Sequence, residues 1–252
     1  MTNLRNWITQ KIRADRLKVA ICFIGTNKYL DYLPRYVEQI NRYFLPDCEK
    51  TIIVFTDGTV DPALQVNVYP TQHLGWPYVT LKRFQTIKQA ATDISQHDWF
   101  VYIDADMLVV DKILSAEFFP DNKSLFAVHH PYHYLTGPRW PGSWESDQAS
   151  LAAVSPDEDL SVYFQGCLWG GKIPAVLDMI AELDRRTEDD LSRGVIAKWH
   201  DESHLNRYLI DNRSYVHVIS AEYACLESDQ DIWPVKPRIL HLTKDTTVLH
   251  NL

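Results

Sequence analysis

Residues 99–110 read WFVYIDADMLVV, an apolar run interrupted by two acidic residues, Asp104 and Asp106. The run has the length and the aromatic and β-branched content of a buried strand, bounded by polar sequence on its N-terminal side. In an extended strand residues two apart share a face, so the two carboxylates are expected to converge on one spot. An unpaired carboxylate is costly to bury, which calls for a cationic partner there. A hard divalent ion suits two carboxylates and would in turn hold phosphate oxygens. The competing reading ends the strand at Ile103 and leaves both aspartates as exposed turn residues.

Working outward, KVAICFIG (18–25) is a short apolar run closed by Gly25, and Lys50 to Phe55 form a second such run, ended by Thr56-Asp57-Gly58. Between them, Leu33, Tyr36, Val37, Ile40 and Tyr43 recur at helical spacing from about Asp31 to Phe44, with Pro34 in the first turn. Residues 78–94 suit a helix with Leu81, Phe84, Ile87 and Ala91 along one side. Strand and helix alternate, which predicts an α/β fold with a mostly parallel sheet covered on both faces. In such sheets ligands collect at the carboxyl ends of the strands, where Asp104 and Asp106 fall. The stretch HHPYHYLTGPRWPGSW (129–144) is rich in Pro, Gly and aromatics, and no helix is expected in it. YFQGCLWGG (163–171) resumes a buried strand, its Gly170-Gly171 reading as a tight turn or a close backbone approach. Residues 173–186 and 202–210 look helical. With no repeat, linker or low-complexity tract, residues 1–252 are read as one domain, with 1–17 as an N-terminal extension and 244–252 as a tail that orders over ligand.

The bulk numbers exclude several classes. The chain has 252 residues, 46% hydrophobic and 23% charged, with a net charge of -8. That balance, without any run of Lys and Arg longer than two, argues against a nucleic-acid partner. Cys22, Cys48, Cys167 and Cys225 are scattered and form no CxxC pair, as expected of free thiols in a reducing compartment. The N-terminal MTNLRNWITQKIRADRLK lacks the apolar core of a signal peptide, and no window approaches a membrane span. A soluble, cytoplasmic protein is the expectation.

A second cluster lies at 199–206, WHDESHLN. Read structurally, Asp201 caps a helix that continues through Leu205, Tyr208 and Leu209, and Glu202 is an exposed residue of its first turn. Read chemically, Trp199 stacks on a sugar while Asp201 and Glu202 face an anomeric carbon. Glycosyl transfer with retention needs a carboxylate that attacks or supports an oxocarbenium-like centre. The cluster His129, His130 and His133 suggests zinc, but no fourth ligand at regular spacing supports a metal there.

The segment WHDESHLNRYL is very similar to the W-H-D-E-S-H-L-N-K-Y-L signature of glycosyltransferase family 6, which includes the mammalian blood-group A and B transferases and α1,3-galactosyltransferase. In matching order stand FIGTNKY (23–29), IIVFTD (52–57), LKRF (81–84), DADM (104–107), HHP (129–131), SWE (143–145), GCLWGG (166–171), SAEY (220–223) and LTKD (242–245). The resemblance runs from about residue 18 to 250. The membrane anchor and stem of the mammalian members have no counterpart, so a bare catalytic domain of the bacterial or phage kind is expected. The resemblance implies a GT-A fold, with a Rossmann-like nucleotide-binding half and a mixed central sheet flanked by helices. It implies a retaining transfer of galactose or N-acetylgalactosamine from a UDP-sugar, forming an α1,3 linkage on an oligosaccharide or glycolipid acceptor.

Carried across by motif, the resemblance assigns Ile24, Thr26 and Tyr29 to the uracil and ribose, and Ala105 to the ribose side. Arg83 contacts the donor sugar, and Asp104 and Asp106 hold manganese against the diphosphate. His130, Ser143 and Trp199 meet the acceptor, Asp201 bonds the donor hexose, Glu202 is the catalytic carboxylate, and Lys244 closes over the diphosphate. Gln165 and Cys167 occupy the two positions that discriminate between the hexoses, and neither matches a residue associated with either preference. His250 replaces a phosphate-binding arginine and Leu226 an acceptor-site aspartate. Two other readings compete: a nucleotide-sugar or glycan-binding module without turnover, and a phosphatase of the haloacid dehalogenase type, which also opens on an apolar strand and DxD. In that type the motif lies near the start of the chain, whereas two strand–helix units precede it here.

Overall fold

The structure, a computed structural model, describes residues 16–137, 144–234 and 236–243. Among the described residues ten strands form in chain order: β1 Lys18–Ile24, β2 Glu49–Thr56, β3 Asn67–Pro70, β4 Trp99–Ile103, β5 Met107–Val109, β6 Leu125–His129, β7 Phe164–Lys172, β8 Val216–Ile219, β9 Cys225–Leu226 and β10 Ile239–His241. Seven of them make one sheet in the order β3-β2-β1-β4-β7-β6-β8, and β5-β10-β9 make a second. In the large sheet β3, β2, β1 and β4 are mutually parallel, β7 runs antiparallel to both β4 and β6, and β6 is parallel to β8. The expected α/β class holds, and the sheet is mixed, as the family resemblance implied.

The parallel half is built from strands buried on both faces, and their side chains sort with period two. Val19, Ile21, Phe23, Ile52, Val54, Trp99, Val101 and Ile103 pack on one side. Ala20, Cys22, Ile53, Phe55, Phe100 and Tyr102 pack on the other. Helix α1 (Leu33–Arg42) covers the first face through Leu33, Tyr36, Val37 and Ile40, and Pro34 sits in its first turn, where a missing N–H costs nothing. It starts later than the periodicity suggested, because a 3₁₀ turn takes Asn27–Tyr32. All four cysteines are free and buried.

Three expectations are corrected. The helix read over 78–94 is three short ones, α2 Tyr78–Leu81, α3 Arg83–Lys88 and α4 Ala91–Ile94. Lys82 (ψ 11) and Ala90 (ψ 14) break the helical progression between them. The run 99–110 is not one strand. β4 stops at Ile103, the chain turns with Met107 N–H donating to Asp104 O (3.1 Å), and β5 joins the smaller sheet through β10. Asp104 and Asp106 therefore sit in a turn between two sheets rather than on one strand face. After α5 (Ser115–Phe118), a helix does form where none was expected, α6 Pro131–Thr136. Pro131 at its first position is preorganised for a helix start, and Gly137 (φ 59) ends it.

Helices α7 (Ala175–Ser192) and α8 (His200–Asp211) cover the second face. Gly170 and Gly171 mark close backbone approach within the sheet, not a turn. A Cβ on Gly170 would lie 2.1 Å from Phe100 O, and one on Gly171 would lie 2.5 Å from Ser124 O. No helix of the described residues is long and apolar enough to cross a membrane.

Candidate active site

β1 and β4 are neighbouring parallel strands, and a cavity of about 390 Å³ opens beyond their carboxyl ends. Ile24, Thr26 and Tyr29 line one side of it, Asp104, Ala105, Asp106 and Arg83 another, and the segment containing His73 and Trp76 a third. This is where an open α/β sheet collects ligands. Thr26, itself buried, shares a hydrogen bond with His73 Nδ1 (2.8 Å). Sequence reasoning singled out neither His73 nor Trp76; both lie in a stretch without periodicity, and only the fold brings them to the cavity.

Neither aspartate of the DxD turn is a solvated turn residue. The Asp104 side chain is 23% exposed, and Asp106 is buried. Asp104 Oδ1 accepts from the Tyr102 hydroxyl and lies 3.4 Å from Arg83 Nη2. Asp106 Oδ2 meets His241 Nε2 at 3.2 Å. Two carboxylates supply oxygen donors only, and each is oriented by a named partner, a set that fits a hard divalent ion. Among the described residues no group of three or more metal-ligating side chains gathers. A cation held here would complete its shell with diphosphate oxygens and water, as is usual for sites built with nucleotide phosphates.

The second carboxylate pair opens α8. Asp201 does not cap the helix. Trp199 takes the cap position without a side-chain cap bond, and its N–H donates to Ser203 Oγ (2.9 Å). Asp201 is turned inward and pairs with Arg83 Nη1 at 2.9 Å, with both side chains almost wholly buried. Burial pushes its carboxyl up to about 7, although the Arg83 guanidinium pulls the other way. Glu202 is not the exposed first-turn residue of the structural reading. Its Oε1 accepts from Tyr163 OH (2.6 Å) and its Oε2 from Gly166 N–H (2.8 Å). Burial raises its pKa while those two bonds oppose the rise.

Arg83 joins the two pairs. Besides Asp201 and Asp104 it donates to Gly166 O (2.8 Å) and lies over the Tyr102 ring, 4.7 Å from its centroid. Burial alone would lower its pKa, but Asp201, Tyr102, Asp104 and Glu202 together raise it, so the guanidinium stays charged. Asn206, one turn beyond Glu202, locks α8 onto β7. Its amide donates to Phe164 O (2.8 Å) and Glu202 O (2.9 Å), and its carbonyl accepts from Phe164 N–H (2.8 Å). Tyr163, Gly166 and Asn206 were quoted in motifs without roles. Tyr102 was legible in principle, two residues before Asp104.

Of the remaining residues singled out by sequence, Gln165 lies on β7 with its amide 3.4 Å from His241 Nδ1, and Cys167 is buried there, its thiol pushed well up by burial. His130 donates its backbone N–H to Tyr163 O (2.8 Å) and packs its ring against Tyr163; burial takes its imidazole down to about 3. Trp199 is 48% exposed. Ser143, Lys244 and His250 lie outside the described residues. His129 Nε2 and His133 Nδ1 share a bond of 2.8 Å.

The comparison with known families decides what this arrangement belongs to: the model of glycosyltransferase family 6 matches residues 3–251. The chain belongs to glycosyltransferase family 6. Family 6 relatives share about a quarter of its residues. Human globoside alpha-1,3-N-acetylgalactosaminyltransferase 1 is 26% identical over 93% of this chain and 69% of its own length. The O-antigen biosynthesis glycosyltransferase WbnI of Escherichia coli is 27% identical over 77% of this chain and 83% of its own length. Human alpha-1,3-galactosyltransferase 2 is 27% identical over 96% of this chain and 73% of its own length. Family 6 membership makes the chain a glycosyltransferase.

Proposed function

We propose that this enzyme transfers galactose or N-acetylgalactosamine from its UDP derivative to a glycan acceptor, with retention and through an α1,3 linkage. The observation that carries the reading is the Arg83 bridge, which ties a carboxylate pair at the nucleotide cavity to a second pair at the helix start. Asp104 and Asp106 would hold a divalent cation, manganese for preference, which neutralises charge on the diphosphate as it leaves. Ile24, Thr26, Tyr29 and Ala105 all line the cavity and are assigned to the nucleoside, and Lys244 is assigned to the diphosphate by its motif alone.

Arg83 pairs with Asp201 at 2.9 Å and keeps its orientation fixed, so that a carboxyl oxygen can accept from a hexose hydroxyl. Glu202, gripped at both oxygens by Tyr163 and Gly166, presents a fixed negative charge to the anomeric centre, where positive charge grows in the transition state. Gln165 and Cys167 border the sugar, His130 and Trp199 border the acceptor, and Ser143 is assigned to the acceptor by its motif alone. The two relatives named for hexoses are an N-acetylgalactosaminyl- and a galactosyltransferase, so both donors belong in the test.

UDP release should be followed across a panel of UDP-sugars with and without manganese, and the active donor then offered to an array of galactosyl-terminated glycans. Manganese-dependent release from one of the two hexose donors, stimulated by an array member, is the expected result. Tight UDP binding without release from any donor would replace the reading with that of a binding module.

A further inference from the structure

His241, the last residue of β10, touches both ends of the proposed donor site at once. Its Nε2 lies 3.2 Å from Asp106 Oδ2 and its Nδ1 3.4 Å from the Gln165 amide nitrogen. An amide nitrogen only donates, so Nδ1 accepts and the ring proton sits on Nε2, facing Asp106. The backbone repeats the link: Leu242 N–H donates to Asp106 O (2.9 Å), and His241 is in register with Met107, the residue after Asp106.

A carboxylate in a turn rotates readily about its last side-chain bond. On Asp104 the Tyr102 hydroxyl and Arg83 hold Oδ1. On Asp106 the corresponding hold on Oδ2 comes from His241, and His241 is itself steadied by Gln165 on β7. We propose that His241 is a positioning residue: it sets the plane of the Asp106 carboxylate for a divalent cation and ties that plane to Gln165, the residue at the sugar side. The proposal rests on the donor-site reading above. Gln165 Oε1 is buried with no hydrogen-bond partner among the described residues, and the amide's one side-chain contact among them is the one to His241.

The test is Mn²⁺ binding in the presence of UDP, read from the electron paramagnetic resonance signal of the free ion, with thermal melting of each variant alongside. His241→Leu fills the ring volume but donates nothing, and it should raise the Mn²⁺ Kd at least tenfold, within the about 10–100-fold range for partners that orient a ligand. His241→Gln restores a donor toward Asp106 and should return the Kd to within about threefold of wild type. Gln165→Leu removes the amide from Nδ1 without touching Asp106 and should weaken Mn²⁺ by about threefold, which keeps the idea testable should His241→Leu not fold. Wild-type Mn²⁺ affinity in a folded His241→Leu, or in Gln165→Leu where His241→Leu does not fold, overturns the proposal and leaves the donor site standing. Absence of UDP-dependent Mn²⁺ binding in the wild-type protein overturns the donor-site reading itself.

Discussion

The two carboxylate pairs are chemically alike and differently housed. Asp104 and Asp106 stand in a turn where two sheets meet, beside an open cavity, Asp104 oriented by Tyr102 and Asp106 by His241. Asp201 and Glu202 stand at the start of a helix packed on β7, and Glu202 has both oxygens engaged. The first arrangement sets two carboxylates at the cavity lining, as cation binding needs. The second gives a rigid, partly desolvated charge, as stabilisation of a developing cation needs. Carboxylates take different work from the surroundings that hold them.

The comparison breaks most visibly at Glu202. Glu202→Gln keeps the shape and removes the charge, so kcat should fall by about a thousandfold or more while UDP affinity stays near wild type. Single-turnover transfer and UDP titration together check it; a near-normal kcat in the folded variant would take Glu202 out of the mechanism and leave Asp201 in its place. For the other pair the pattern inverts. Asp104→Asn or Asp106→Asn should lower turnover on the order of a hundredfold and weaken UDP in manganese, because the lost charge acts on binding as well as rate. Chelation of the wild-type enzyme should reproduce that loss, and undiminished turnover in excess chelator would place the chain among metal-independent enzymes.

Much of the fold was legible and part of the site was not, for physical reasons. Apolar runs with clear ends at Ile24 and Phe55 mark strands whatever surrounds them, so β1 and β2 could be read directly. The DxD turn was misread as strand because Met107–Val109 continues the apolar run, and nothing local says that β5 pairs with β10 in another sheet. The α6 helix hid behind a prolyl residue that serves as its first position. Arg83 is the hardest case. On sequence it is a basic residue beside Lys82, and its weight comes from Gly166, Asp201 and Asp104, three distant parts of the chain.

How firmly the second pair is housed can be measured without activity. Asn206 is buried and satisfies both backbone groups of Phe164, so Asn206→Ala strands a donor and an acceptor inside the protein. The expected cost is about 2 kcal/mol, a fall in Tm of roughly 4–8 °C for a chain of this size. Turnover should drop as well, since Gly166 and Glu202 lose their common register. A fully stable Asn206→Ala with lowered turnover would show that the clamp positions and does not stabilise.

The smallest effect concerns protons. Burial raises the Asp201 carboxyl from its ordinary 3.8 to about 7, so the folded protein holds a proton there that the unfolded chain has released. With the folded pKa above the unfolded one, this group's contribution to stability is complete below about pH 4 and is lost as pH rises through 7. Between pH 6 and 7.5 the loss amounts to about 1 kcal/mol by linkage. Asp201→Asn cannot titrate, so its Tm should fall less over that interval than the wild-type Tm, while other groups contribute alike to both curves. Parallel melting curves for wild type and Asp201→Asn would mean that the Arg83 charge fully offsets burial, and that Asp201 is a plain ion-pair partner across neutral pH.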